Sequence, residues 1–95
     1  MTLTIVAHIT AVAGKADFLR SQLEALIAPT RAEAGCLQYD LHVDTTDPHV
    51  FLFFENWETC DLWQDHMNAN HIKQFSAATQ GAIAAVVLNE MTQVG

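Results

Sequence analysis

Apolar residues occupy every second position from Leu3 to Val12. Leu3, Ile5, Ala7, Ile9 and Ala11 point one way, with Thr4, Val6, His8 and Thr10 opposite. That alternation predicts a strand. After Gly14 the period lengthens. Leu19, Leu23, Leu26, Ile27 and Thr30 form a stripe at three- and four-residue spacing, with Arg20 and Glu24 outward, which predicts a helix from Lys15 to about Ala32. Pro29 lies inside this stripe and predicts a kink or a fresh turn near Ala28. Gly35 punctuates, and the period of two returns. Cys36 to Asp44 reads as a second strand, with Leu37, Tyr39, Leu41 and Val43 on one face and Gln38, Asp40 and His42 on the other.

Thr45-Thr46-Asp47-Pro48-His49 has strong turn chemistry, so Val50 to Trp57 is expected to return as the second arm of a hairpin. With Asp44 and Val50 flanking the loop, Leu41 falls opposite Phe53, Tyr39 opposite Glu55 and Leu37 opposite Trp57. Thr59 is suited to cap a following helix, and Asp61 in its first turn complements the helix dipole. That helix places Leu62, Trp63, His66 and Met67 on one side. Asn68-Ala69-Asn70 interrupts it, and a second piece from about His71 to Gly81 buries Ile72, Phe75 and Thr79. Ala84 to Val94 reads as the last strand. The order βαββαβ is the ferredoxin-like arrangement: one α+β domain over residues 1–95, with both helical segments on one face of a four-stranded antiparallel sheet.

The third strand is apolar on both faces, since Val50, Leu52 and Phe54 alternate with Phe51 and Phe53. An antiparallel sheet open to water carries polar residues on its free side. An apolar free face implies an interface, so the expectation is a homodimer in which two sheets cover one another. Asn56, Asp40 and His42 are assigned to that contact.

Charge narrows the partners. The net charge is −7, and only Lys15, Arg20, Arg31 and Lys73 are positive. Nucleic acid and anionic membranes both require basic surface, so neither is expected. No apolar run is long enough to span a bilayer and the N-terminus lacks a signal-peptide pattern, so a cytoplasmic location is expected. Cys36 and Cys60 lack C-x-x-C spacing and read as free thiols. His66 and His71 are five residues apart across a helix break, without the i, i+4 pairing of zinc-binding histidines, so no metal site is expected. Gly-rich phosphate loops and nucleophile elbows are absent.

The segment from Val50 to His71, VFLFFENWETCDLWQDHMNANH, concentrates a carboxylate, an indole and two imidazoles in one strand–helix unit. Burial shifts such groups towards neutral pKa values, which makes them candidates for proton transfer. His66 stands where periodicity calls for an aliphatic residue. It is either a base or a core histidine satisfied by a backbone carbonyl or by Glu55. His71 is a helix-start residue with a capping or loop contact, or a group that steers substrate. Glu55, if buried, needs Tyr39 or His66 as a partner, and the Trp57 indole needs an acceptor.

PTRAEAGCLQYDLHVD, a short Asp-Pro loop, VFLFFENWE and DHMNANHIKQF together resemble the antibiotic biosynthesis monooxygenase family, over Leu3 to Met91. The resemblance implies a small dimeric α+β barrel. It also implies oxidation of quinols or polycyclic phenols with molecular oxygen and no metal, haem or flavin. Some similar proteins instead degrade haem, and another isomerises a phosphorylated autoinducer. Trp57 matches a pocket tryptophan of the haem-degrading relatives, but Ala7 and Ser76 replace their asparagine and axial histidine, which argues against haem. His66, His71 and Glu55 match residues of the quinol-oxygenase-like and isomerase-like members.

The expectation is therefore a cofactor-independent monooxygenase of a small aromatic quinol or phenol. His66 serves as base, Glu55 orients it, and His71 is a secondary catalytic candidate. Trp57, Phe53 and Tyr39 bind the substrate. The alternatives are an isomerase of a small polar or phosphorylated carbonyl compound, which requires cations such as Arg31 and Lys73 beside His66, and a non-catalytic binding module, which requires a pocket filled by its own side chains.

Overall fold

A computed structural model describes residues 2–95; Met1, the first residue of the expected domain, lies outside them. The elements follow the order β1 (Leu3–Ala11), α1 (Ala16–Ala25), α2 (Ile27–Arg31), β2 (Cys36–Val43), β3 (Val50–Trp57), α3 (Cys60–Met67), α4 (Asn70–Ala78) and β4 (Ile83–Met91). The four strands form one antiparallel sheet in the order β2-β3-β1-β4, the ferredoxin-like topology. No helix among the described residues is long and apolar enough to cross a membrane.

The first helical region is divided at Leu26, two residues earlier than the expected kink. Pro29 has no N–H to offer the Ala25 carbonyl, and its ring crowds that carbonyl. The chain tightens there, with Leu26 N–H donating to Leu23 O at 3.1 Å, before Thr30 N–H resumes the helical pattern on Leu26 O. The stripe survives the break, and Leu19, Leu23, Leu26 and Thr30 are all buried. In α3 the Thr59 side chain accepts from Leu62 N–H at 3.1 Å, the N-cap its position predicts.

The core lies between the helices and one sheet face, where Ile5, Ala7 and Ile9 of β1 meet Phe51, Phe53 and Trp57 of β3. Tyr39 pairs with Glu55 and Leu41 with Phe53, as the loop length implies. The third expected pair is corrected. The register shifts between Cys36 and Gln38, so Cys36 opposes Trp57 and Leu37 is 55% exposed. An extra residue in one strand turns its side chain away from the ladder face, the usual effect of a bulge.

Gly35 prepares this shift. Its φ of +84° belongs to the left-handed region, and a Cβ there would run into the Leu62 side chain. Its carbonyl accepts from Glu58 N–H at 2.9 Å. The turn that carries Glu33 is thereby held close against the start of α3.

The opposite sheet face carries Val6, His8 and Thr10 in register with Phe54, Leu52 and Val50. No described helix packs there. Beyond Ile83, β4 is exposed along its whole length, including Val86 and Leu88 on the helix side of the sheet. The helical layer thus stops short of this edge, which leaves an opening into the interior.

Candidate active site

A cavity of about 390 Å³ occupies that opening, within the size range of small-molecule sites. Its floor is Ala7, Ile9, Tyr39, Phe53 and Glu55 from the sheet. Its roof is His66, Ile72, Phe75 and Ser76 from α3 and α4, and Val86 and Leu88 form the rim. No lysine or arginine contributes to the wall.

His66 is the hinge of the site. Its side chain is 3% exposed, with the ring 4.7 Å from Trp57 and edge-on to Tyr39 at 5.6 Å. Nδ1 lies 2.6 Å from Glu33 Oε2, the length of a charge-assisted hydrogen bond. A carboxylate oxygen only accepts, so Nδ1 carries the proton and Nε2 holds a lone pair. Nε2 has no partner, and no fully buried polar side-chain atom is left unsatisfied, among the described residues. Nε2 therefore keeps some exposure, and His66 is one of the residues that line the cavity. Burial lowers the pKa of His66, opposed by its bond to Glu33 and by that residue's charge, and so favours the neutral ring.

Glu33 was not among the sequence candidates, yet it organises the site. Its Oε2 also lies 2.9 Å from His71 Nε2, which stands 3.2 Å from Thr30 Oγ1. His71 thus has the loop contact that its position at the start of α4 suggests, and neither it nor Glu33 touches the cavity wall. Glu33 lies in a turn with no periodicity to mark it. The available signal was indirect: two histidines on the inner side of neighbouring helices need an acceptor. Sequence spacing pointed away from metal binding, but the structure brings donor atoms of Glu33, His66 and His71 within 4.8 Å of one another.

Glu55 does not orient His66, contrary to the sequence expectation. Its Oε1 accepts from Trp57 Nε1 at 2.9 Å, because two residues apart on one strand the two side chains share a face. Glu55 is 4% exposed, and no side-chain cation among the described residues pairs with it. Burial pushes its pKa from the usual 4.5 to about 7, against the lowering effect of the indole bond. Burial, with the nearby Glu55 charge, also raises the Tyr39 phenol. Phe53 stacks on Tyr39 with centroids 4.3 Å apart and shares the cavity floor, whereas Trp57 sits behind Glu55 and His66 and does not line the cavity.

The cations stand elsewhere. Arg31 donates through Nε to Tyr39 O at 3.1 Å and through a terminal nitrogen to Asp40 Oδ1 at 3.0 Å. Lys73 is exposed on α4. On the opposite sheet face Asn56 is tied to Gln38 and Thr4, and His42 pairs across to Leu52.

The chain as a whole resembles a protein of known structure, PA3566 from Pseudomonas aeruginosa. The two superimpose with a TM-score of 0.95 at 40% identity, covering 99% of this chain and 95% of that one. A solved antibiotic biosynthesis monooxygenase superimposes with a TM-score of 0.91 at 26% identity, covering 98% and 99%. Rv0793 from Mycobacterium tuberculosis is 36% identical over 59 residues, a segment that spans 62% of this chain and 57% of that protein. The family model described as antibiotic biosynthesis monooxygenase matches residues 2–78, which include every member of the cluster around His66. The chain belongs to the antibiotic biosynthesis monooxygenase family.

Proposed function

We propose that the protein is a monooxygenase that oxidises a small aromatic quinol or phenol with molecular oxygen and needs no cofactor for the chemistry. The observation that carries this reading is His66: Glu33 holds it by Nδ1, its Nε2 is left without a partner among the described residues, and the residue lines an apolar cavity of about 390 Å³. Nε2 takes the phenolic proton, and Glu33 supports the imidazolium that results, the arrangement by which a carboxylate assists a histidine base. An electron-rich phenolate then reduces oxygen directly. A ring carbon bonds one oxygen atom, the O–O bond breaks, and the second atom leaves as water. The substrate's own C–H and O–H bonds supply both electrons, so no external reductant enters. Glu55, with a pKa of about 7, is suited to deliver the proton that the departing oxygen requires.

Ser76 offers a hydroxyl, not an imidazole, at the wall position where haem-degrading relatives are expected to ligate iron. A phosphorylated substrate fits poorly, since Arg31 is engaged with Tyr39 and Asp40 and no lysine or arginine lines the cavity. A self-filled binding module fits poorly as well, because the cavity is open.

The apolar strip of Val6, Leu52 and Phe54 supports a homodimer paired through the free sheet face. Sedimentation of a folded monomer at micromolar concentration would remove that part. The function is tested by oxygen uptake from chelator-treated protein with a panel of quinols and anthrones. Turnover of one class with a carbonyl product is expected, and no uptake with any member counts against the reading.

A further inference from the structure

Glu33, His66 and His71 come from three separate places: the turn before β2, the last turn of α3 and the start of α4. Their donor atoms nonetheless cluster within 4.8 Å. Two imidazoles and a carboxylate are a donor set common to zinc and iron(II) centres. We propose that these side chains form a binding site for a zinc-class divalent cation, held by Glu33 Oε2, His66 Nδ1 and His71 Nε2.

The separations of 2.6 and 2.9 Å are those of hydrogen bonds. Around a tetrahedral zinc ion, donors at about 2.0–2.2 Å from the metal stand roughly 3.3 Å from one another. The two Glu33 separations have to open by roughly half an ångström, and the histidine donors, which lie within 4.8 Å of each other, have to settle at the same spacing, adjustments that side-chain rotation covers. Glu33 and His71 are the members free to give, with side chains 18% and 23% exposed against 3% for His66. The same exposure gives an entry path and admits water to the fourth position. The net charge of −7 draws cations of any kind. The two imidazoles select zinc-class ions over magnesium and calcium, which prefer oxygen donors.

The site lies behind His66, on the side away from the cavity, because Glu33 and His71 do not touch the cavity wall. A cation there meets no cavity ligand, but it changes the histidine that the two regions share. With the Nδ1 lone pair given to the metal, a neutral ring keeps its proton on Nε2 and accepts none from the cavity. This consequence rests on the reading of His66 as the base, and it makes zinc an inhibitor.

Equilibrium dialysis of the chelator-stripped full chain against zinc chloride, with no substrate present, reads the site independently of catalysis. One zinc per chain and a raised Tm are expected for the unaltered protein. Affinity should fall at least about tenfold in both His71→Gln and Glu33→Gln. Magnesium should not compete. Zinc that fails to bind, or that binds all three proteins alike, overturns the site. In the oxygen-uptake assay, turnover should fall in step with zinc occupancy, and full turnover at full occupancy overturns the inhibitory role. Protein inert towards every substrate counts against the oxygenase reading and leaves the dialysis result standing.

Discussion

Two carboxylates belong to the region around His66 and behave differently: Glu33 bonds its ring, and Glu55 lines the same cavity. Glu33, at the partly exposed end of the site, accepts from two histidines through one oxygen. Glu55, in the core, has one neutral donor, the Trp57 indole, and its pKa rises to about 7. Both are glutamates within a few residues of a strand end. Their surroundings separate them: Glu33 accepts hydrogen bonds from two imidazoles, whereas burial favours the protonated form of Glu55. One is thus fitted to support a base and the other to act as an acid.

Removing the imidazole that Glu33 holds should have the largest effect. His66→Ala is expected to lower turnover by roughly a hundredfold or more, the scale of losing a general base, and to erase the imidazole limb of the pH–rate profile. Oxygen uptake and a melting curve on the same variant separate this from simple unfolding. Intact turnover at pH 7 would take His66 out of the mechanism.

The contrast is sharpened next by pH. A Glu55 pKa raised from 4.5 to about 7 means that the folded protein binds more protons than the unfolded chain between those values. Its contribution is fully present below about pH 4.5 and is lost as pH rises through about 7, by roughly 3 kcal/mol in total. Glu55→Gln keeps an acceptor for the indole and cannot titrate. Urea denaturation at pH 5 and pH 8 should show a smaller pH-dependent loss in the variant. Equal losses in both proteins would show that Glu55 does not titrate in this window.

A smaller effect is expected from Trp57→Phe, which withdraws the donor that lowers the Glu55 pKa. The cost is about 1 kcal/mol for the hydrogen bond itself, apart from repacking. The diagnostic sign is an upward shift in the pH at which the Glu55 contribution disappears. An unmoved midpoint would mean that the indole bond has little hold on this carboxylate.

Much of the fold was legible because it depends on local periodicity. The strand pattern of Leu3–Ala11, the stripe through Leu19, Leu23 and Thr30, and the Thr59 cap each require only neighbouring residues to agree. The two misplacements depended on contacts that the apolar period does not mark. Pro29 acts through the Ala25 carbonyl, which moves the break to Leu26, and the bulge at Leu37 follows from the turn at Gly35 packed against Leu62. The amino-acid sequence by itself put His66 in the buried stripe of a helix and Glu55 on an aromatic strand face, where a buried carboxylate needs a partner. Only the tertiary structure decided which partners they found. Glu33 is 33 residues from His66 along the chain and 2.6 Å from it in space, and no periodicity encodes a contact made by folding a turn onto a helix.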